Sequence, residues 1–316
     1  MKKVLVTVIL ILMLGVSGCG GVGSIGGGKE PEIGYRQGSQ GLVIDFMPNY
    51  PRPRMYDDEP FDVMVELKNK GAHTVGFSGD KIYLSGFDTS IITGISTNGE
   101  RVPSNFEGIT EYNSEGGYDT LQFTAEIYPL RMKKIDKYPA TILATACYSY
   151  KTTASDNICI DPNPFSTTTE RKVCTPTTAS FGTQGAPIAV TSVEVDPTPR
   201  VTRFKIHISN VGGGTVFKYG GDYLSKCNPY HTRGLEFNEV DVVRIAGVTV
   251  AGKTITPSCK PVDNEGNVRL INGQATVFCE LGNLGTGPAY TTPLTVEVDY
   301  GYRTTTAKQV EIVQTP

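Results

Sequence analysis

The sequence contains no tryptophan, only three histidines and no run of basic residues. It lacks a Gly-x-Ser-x-Gly elbow, a phosphate loop, a His-Glu-x-x-His pair and a dinucleotide fingerprint, so the common hydrolase, nucleotide and zinc-protease sites have no residues to build them. There is no Asn-x-Ser/Thr sequon, and N-glycosylation is not expected. His73 follows a turn, His207 alternates with Ile206 and Ile208 and is expected to face solvent, and His231 falls in a loop. Ser, Thr and Asp are plentiful, but none is paired with a base. The expectation is a chain that is not an enzyme and has no cofactor and no metal.

What is present begins at the N-terminus. Lys2 and Lys3 precede an eleven-residue apolar run, Val4 to Leu14, which is too short to span a bilayer and reads as the core of an export signal. Val16-Ser17-Gly18-Cys19 follows and resembles the lipobox of prokaryotic lipoproteins. That resemblance implies a signal peptide over residues 1–18, cleavage before Cys19 and a lipid on its sulfur, with the protein held outside the cell membrane or on the outer membrane. Gly20 to Gly28 is glycine-rich, interrupted only by Val22, Ser24 and Ile25, and reads as a flexible tether, placing the folded part roughly 20 Å from the membrane. Losing Lys2 and Lys3 leaves 27 basic against 32 acidic residues, a net charge of −5, which argues against nucleic acid as a partner.

Short runs of Val, Ile, Thr and Phe separated by Pro, Gly and Asn mark an all-β chain. Three blocks recur in order. Phe61 to Gly71 matches Arg203 to Gly212, each an alternating strand ending in Asn-x-Gly; Ile82 to Phe87 matches Val243 to Val248; Cys147 to Thr153 matches Asp299 to Thr305 around a shared Tyr-x-Tyr. In both copies the Asn-x-Gly ends are expected to turn the chain out of the strand, with positive φ tolerated by Asn and Gly and the Asn side chain bonding its own backbone. Leu294, Val296, Val298, Tyr300 and Tyr302 share a face, as do Ile142, Ala144, Ala146, Tyr148 and Tyr150. The alternating strand ending in Asn-x-Gly resembles the immunoglobulin-like, CARDB-related modules of archaeal and bacterial surface proteins. The resemblance implies two tandem antiparallel β-sandwiches outside the cell and transfers no catalytic residue. The expected layout is a lipidated Cys19 and tether over 19–40, one sandwich over 41–160, a linker over 161–185 and a second sandwich over 186–316.

Six further cysteines, Cys147, Cys159, Cys174, Cys227, Cys259 and Cys279, suggest three disulfides in an exported chain, favoured over a zinc site from Cys227, His231 and Cys259. Two schemes stand side by side. One places Cys147 and Cys159 across a hairpin turning near Thr153, pairs Cys259 with Cys279, and leaves Cys174 to Cys227 as a staple between domains. The other closes Cys159 to Cys174 and frees Cys147 for another partner. Asp57-Asp58-Glu59 and the segment Asp263 to Asn267 offer oxygen ligands but read as solvated turns. The second copy carries about twenty extra residues, roughly Phe217 to Phe237, whose Tyr219, Tyr223, Tyr230, His231 and Arg233 form either a binding loop or a loop packed on its own domain. Function is therefore expected in surfaces: adhesion or envelope assembly through a protein or glycan partner, or capture of a peptide, glycan or solute at the domain junction.

Overall fold

In Phe61–Asn69 every second side chain is buried, as a strand with one face on a core requires. The computed structural model, which describes residues 36–76, 79–166, 172–282 and 287–316, extends that pattern through most of the chain. The signal peptide, Cys19 and the tether up to residue 35 lie outside the described residues.

The first copy contributes β1 (Leu42–Phe46), β2 (Arg54–Tyr56), β3 (Phe61–Asn69), β4 (Lys81–Ser85), β5 (Ile92–Thr93), β6 (Glu100–Arg101), β7 (Tyr118–Ile127), the one-turn α1 (Leu130–Lys133) and β8 (Lys137–Ile160). The second contributes β9 (Ala179–Ser180), β10 (Ile188–Pro197), β11 (Val201–Asn210), β12 (Thr215–Phe217), α2 (Gly221–Cys227), β13 (Val242–Val250), β14 (Lys253–Thr254), β15 (Asn267–Arg269), β16 (Gln274–Gly282) and β17 (Tyr290–Val313). Two small sheets, β1-β3-β7-β5 and β16-β11-β10-β9, accompany a nine-stranded sheet built on β14-β13-β17-β8-β4-β6. All pairings are antiparallel except that of β2 with β17. The fold is an all-β sandwich.

The large sheet belongs to both copies. Strands β8 and β17 pair from end to end, with Tyr148 opposite Tyr302 and Tyr150 opposite Tyr300, so the repeats meet about a pseudo-twofold axis at the Ser149–Gly301 pair. Directly opposed residues share a face, as do residues two apart, so all four tyrosines point the same way. They point at the small sheets: the Tyr148 hydroxyl donates to the Leu42 carbonyl (3.5 Å), and the Ile188 N–H donates to the Tyr300 hydroxyl (3.3 Å). Leu42, Phe61, Phe204, Ile188 and Tyr300 all enter a single buried cluster. The sequence division at 161–185 therefore does not separate two cores, and residues Tyr35–Pro316 form one compact unit. The described residues of that segment are held by the Cys159–Cys174 bond, by the Lys172 ammonium on the buried Asp161 carboxylate (2.6 Å) and by the Gln184 side chain, which closes both polar groups of Val190.

At the Asn-x-Gly ends the asparagine bonds its own backbone as expected, Oδ1 of Asn69 and Asn210 accepting from the N–H of Gly71 and Gly212 (both 3.3 Å), but the turn is not made through positive φ. None of Asn69, Gly71, Asn210 and Gly212 has positive φ. Glycine is needed for room: a Cβ on Gly71 would lie 1.9 Å from the Tyr150 hydroxyl, and one on Gly212 would lie 2.6 Å from the Tyr302 hydroxyl. Each asparagine donates from Nδ2 to the carbonyl four residues on, His73 (2.8 Å) or Gly214 (2.9 Å). The N–H of that same residue donates to the tyrosine hydroxyl, at 3.1 Å from His73 to Tyr150 and 2.7 Å from Gly214 to Tyr302. Asparagine, glycine and tyrosine thus recur together because they make one lock, built once in each copy.

Two further expectations are corrected. There is no hairpin at Thr153; β8 runs unbroken for 24 residues, so Cys147 and Cys159 lie far apart along one strand. The disulfides are Cys147–Cys227, Cys159–Cys174 and Cys259–Cys279, which replaces the Cys147–Cys159 and Cys174–Cys227 pairings. In addition, Ile82 pairs with Ala146 and Ile245 with Val298, so the structural counterpart of Ile82 is Ile245, two residues beyond the sequence match at Val243.

Candidate functional site

With the even positions of β8 and β17 committed to the core, their odd positions form the opposite, outer face of the large sheet. Cys147, Ser149 and Lys151 lie there on β8, facing Arg303, Gly301 and Asp299 on β17. In most of a sandwich such a face meets water. Here the extra segment of the second copy lies across it: Phe217 rests on Gly301, where a Cβ would come within 2.1 Å of the ring, and Phe217, Leu224 and Cys227 are buried with Tyr83 and Cys147. Three bonds fasten the segment to the first copy: the Cys147–Cys227 disulfide, the Tyr230 hydroxyl donating to the Leu84 carbonyl (2.7 Å) and Asn228 Nδ2 donating to the Thr97 carbonyl (3.0 Å).

The residues flagged from sequence divide accordingly. Tyr219 lies under the Arg244 guanidinium (4.4 Å), and Tyr223 is flanked by the Lys218 and Lys226 ammonium groups. Tyr230 is partly buried, which raises its hydroxyl above the ordinary value. Tyr219 and Tyr230 contact strands outside the segment, and Tyr223 packs against the buried cluster around Phe217 and Cys227. His231 accepts at Nδ1 from the N–H groups of Arg233 (3.3 Å) and Gly234 (3.2 Å), which leaves Nε2 to carry the proton of the neutral ring. Arg233 is exposed.

The fastened segment leaves a recess on either side. The smaller, about 200 Å³, is lined by His73, Asp80, Ser149, Lys151, Tyr219 and Asp299 among others. Its carboxylates already have partners. Burial raises the Asp80 carboxyl above its usual range even though Gly76 (2.7 Å) and Ser149 (2.9 Å) donate to it, and Asp299 receives Arg244 at 2.5 Å and Lys151 at 3.9 Å. Burial, helped by the Lys151 charge, lowers the His73 imidazole and favours its neutral form.

The larger recess is a groove of about 620 Å³, within the size range of small-molecule sites. Its floor is a row of outward positions on four adjacent strands: Thr215, then Arg303 and Thr305, then Leu143 and Thr145, then Ser85. Its wall is the segment from Lys226 to Leu235, including His231. Thr145 and Thr305 share a hydrogen bond (3.1 Å), and Arg303 donates to Thr215 Oγ1 (3.4 Å). Sequence reasoning missed the floor. Its residues are the outward members of strands chosen for their inward ones, and nothing along the chain marks which outward positions a distant segment will wall in.

Of the two acidic turns expected to be solvated, the first is not, since Asp57 is buried and binds distant backbone, whereas the Asp263 carboxylate of the second bonds within its own turn. Asp57 accepts from the Thr315 N–H (2.8 Å) and hydroxyl and from the Leu130 N–H (2.6 Å), tying the C-terminus down, and Asp263 accepts from the N–H groups of Glu265 and Asn267. Among the described residues no helix is long and apolar enough to cross a membrane. No protein-family model matches the chain, and no curated protein matches it.

Proposed function

We propose that the protein is a non-catalytic, lipid-anchored binding protein displayed outside the cell, related to immunoglobulin-like surface modules, and that it captures a peptide, glycan or solute in the groove at the junction of its two copies. One observation carries this reading: residues of both copies build the groove, and a disulfide holds its wall across the seam. A prefastened wall reduces the ordering that a ligand would otherwise have to impose. Leu143 lines the floor, so Leu143→Trp fills the groove from a partly exposed position. A panel of sugars, peptides and small solutes, followed by thermal shift, should contain a class that stabilises the wild-type protein by about 2–3 kcal/mol at a hundredfold excess over Kd and loses this effect in Leu143→Trp. If every stabilising compound acts equally on both proteins, or none stabilises either, the capture reading fails.

The second reading, adhesion or envelope assembly, is favoured by β7. Its residues Thr120 to Thr124 pair with β3 on one side, and β5 covers only Glu126 and Ile127 on the other. An open edge of this kind accepts an added strand. By contrast, the outer edge of β16 is closed by Lys260 on Phe278 and by the Ser258 hydroxyl on Glu280. Both readings place the protein at a membrane through Cys19. Cys19→Ser should move it from the membrane to the soluble fraction, and unchanged retention would remove the anchor from the proposal.

A further inference from the structure

The pseudo-twofold axis allows the two cross-strand pairs Lys151–Asp299 and Arg303–Cys147 to be compared, since the repeat places Lys151 and Arg303 at one position and Asp299 and Cys147 at another. On one side of the axis the cation has its acid. Lys151 lies 3.9 Å from Asp299 and 3.8 Å from Glu297, and Arg244 closes on Asp299 as well. On the other side the place of the acid is taken by Cys147, whose sulfur is bonded to Cys227. Arg303 is left half-buried on the groove floor, bonded only to the Thr215 hydroxyl and with no carboxylate at ion-pair distance among the described residues. The charge of Lys226 on the wall is met by Glu239. Among the described residues no aspartate or glutamate lines this groove.

We propose that the groove binds an oxyanion, the carboxylate, sulfate or phosphate group of its ligand, and that Arg303 is the residue that recognises it. The inference rests on the capture reading and names the chemistry of the captured group. A guanidinium presents two parallel N–H donors that fit the two oxygens of such a group, and the bond is stronger in a partly enclosed site than in open water. Around it stand neutral donors: the hydroxyls of Thr215, Thr305, Thr145 and Ser85 on the floor and His231 Nε2 on the wall. They add hydrogen bonds and no competing negative charge. The Cys147–Cys227 bond has a second consequence here, because the residue that fastens the wall is the one that withholds the carboxylate from Arg303.

The test is calorimetric titration of the full-length protein at low salt with sodium D-glucuronate, with D-glucose as its uncharged counterpart, and with inorganic phosphate. At least one anion should bind about tenfold or more tighter than glucose, and Arg303→Gln should weaken that binding about tenfold or more. Arg303→Lys should fall between the two, since it keeps the charge and loses the fork. Arg200→Gln makes the same change of net charge at an exposed position and should leave binding unchanged. His231→Gln should also weaken anion binding, and it keeps the test readable if Arg303→Gln does not fold. Binding of phosphate without glucuronate assigns the group to a phosphate or sulfate ester; the reverse assigns it to a sugar acid or peptide carboxylate. Equal anion affinity in the wild type and in both the Arg303→Gln and His231→Gln proteins, or no heat from either anion up to about 10 mM, overturns the inference. If glucose binds as tightly as glucuronate and Leu143→Trp abolishes both, the inference falls and the capture reading survives.

Discussion

Removal of the Cys147–Cys227 bond by a double change to alanine should cost the protein about 4 kcal/mol. The two cysteines are 80 residues apart, and the 15 residues already closed by Cys159–Cys174 shorten the effective loop to about 65. The chain-entropy relation for a loop of that length gives about 14–15 cal/mol/K lost from the unfolded state, or about 4 kcal/mol at 25 °C. The same relation gives about 3 kcal/mol for Cys259–Cys279, which encloses 20 residues. The folded state should change little, because Tyr230 and Asn228 still hold the segment to Leu84 and Thr97. Urea unfolding under non-reducing conditions, followed by far-ultraviolet circular dichroism, measures the difference. The m-value should rise in the variant, since its unfolded chain is freer to expand. A loss below about 1 kcal/mol, or one smaller than that from removing Cys259–Cys279, would refute the assignment of this stability to closure of the long loop.

Three other outcomes are expected. Gly71→Ala should cost about 3 kcal/mol, because its Cβ meets the Tyr150 hydroxyl at 1.9 Å and two carbonyl oxygens at 2.5 and 2.6 Å; Gly212→Ala, with nearest approaches of 2.4 and 2.6 Å, should cost about 2, and thermal melts that rank Gly212 above Gly71 would contradict the geometry. Burial raises the hydroxyls of Tyr148, Tyr150, Tyr300 and Tyr302, so the folded state keeps protons that the unfolded chain releases near pH 10, and stability should be retained below about pH 10 and fall above it. In a spectrophotometric titration these four of the 16 tyrosines should ionise only as the circular dichroism is lost; one smooth wave with the fold intact would contradict this. Residues 186–316 expressed alone expose the whole edge of β17 that pairs with β8, and should unfold or self-associate. A stable monomer with dispersed amide resonances would show that the second copy has a core of its own.

The sequence by itself determined the strands, the duplication and the inward face. Alternation over Phe61–Asn69 and around the Tyr-x-Tyr blocks is a local property, dictated by the two-residue period of an extended chain on an apolar core, and it survives folding unchanged. The even number of cysteines after Cys19 likewise pointed to three bonds. Only the tertiary structure decided how these parts meet. A Tyr-x-Tyr strand has two edges and the same period whether it ends at a hairpin or runs on for 24 residues beside its own repeat, so the shared sheet and the true partner of Cys147 could not be read along the chain. The meaning of Asn-x-Gly also lay outside the segment, since the hydroxyl that needs glycine's space comes from Tyr150 or Tyr302 on another strand. The groove follows the same logic. Arg303 and the threonines beside it on β8 and β17 became a candidate site only when a segment distant from those strands in sequence was bonded across their face, because cross-strand neighbours and covering loops are set by pairing register and packing, to which local composition is blind.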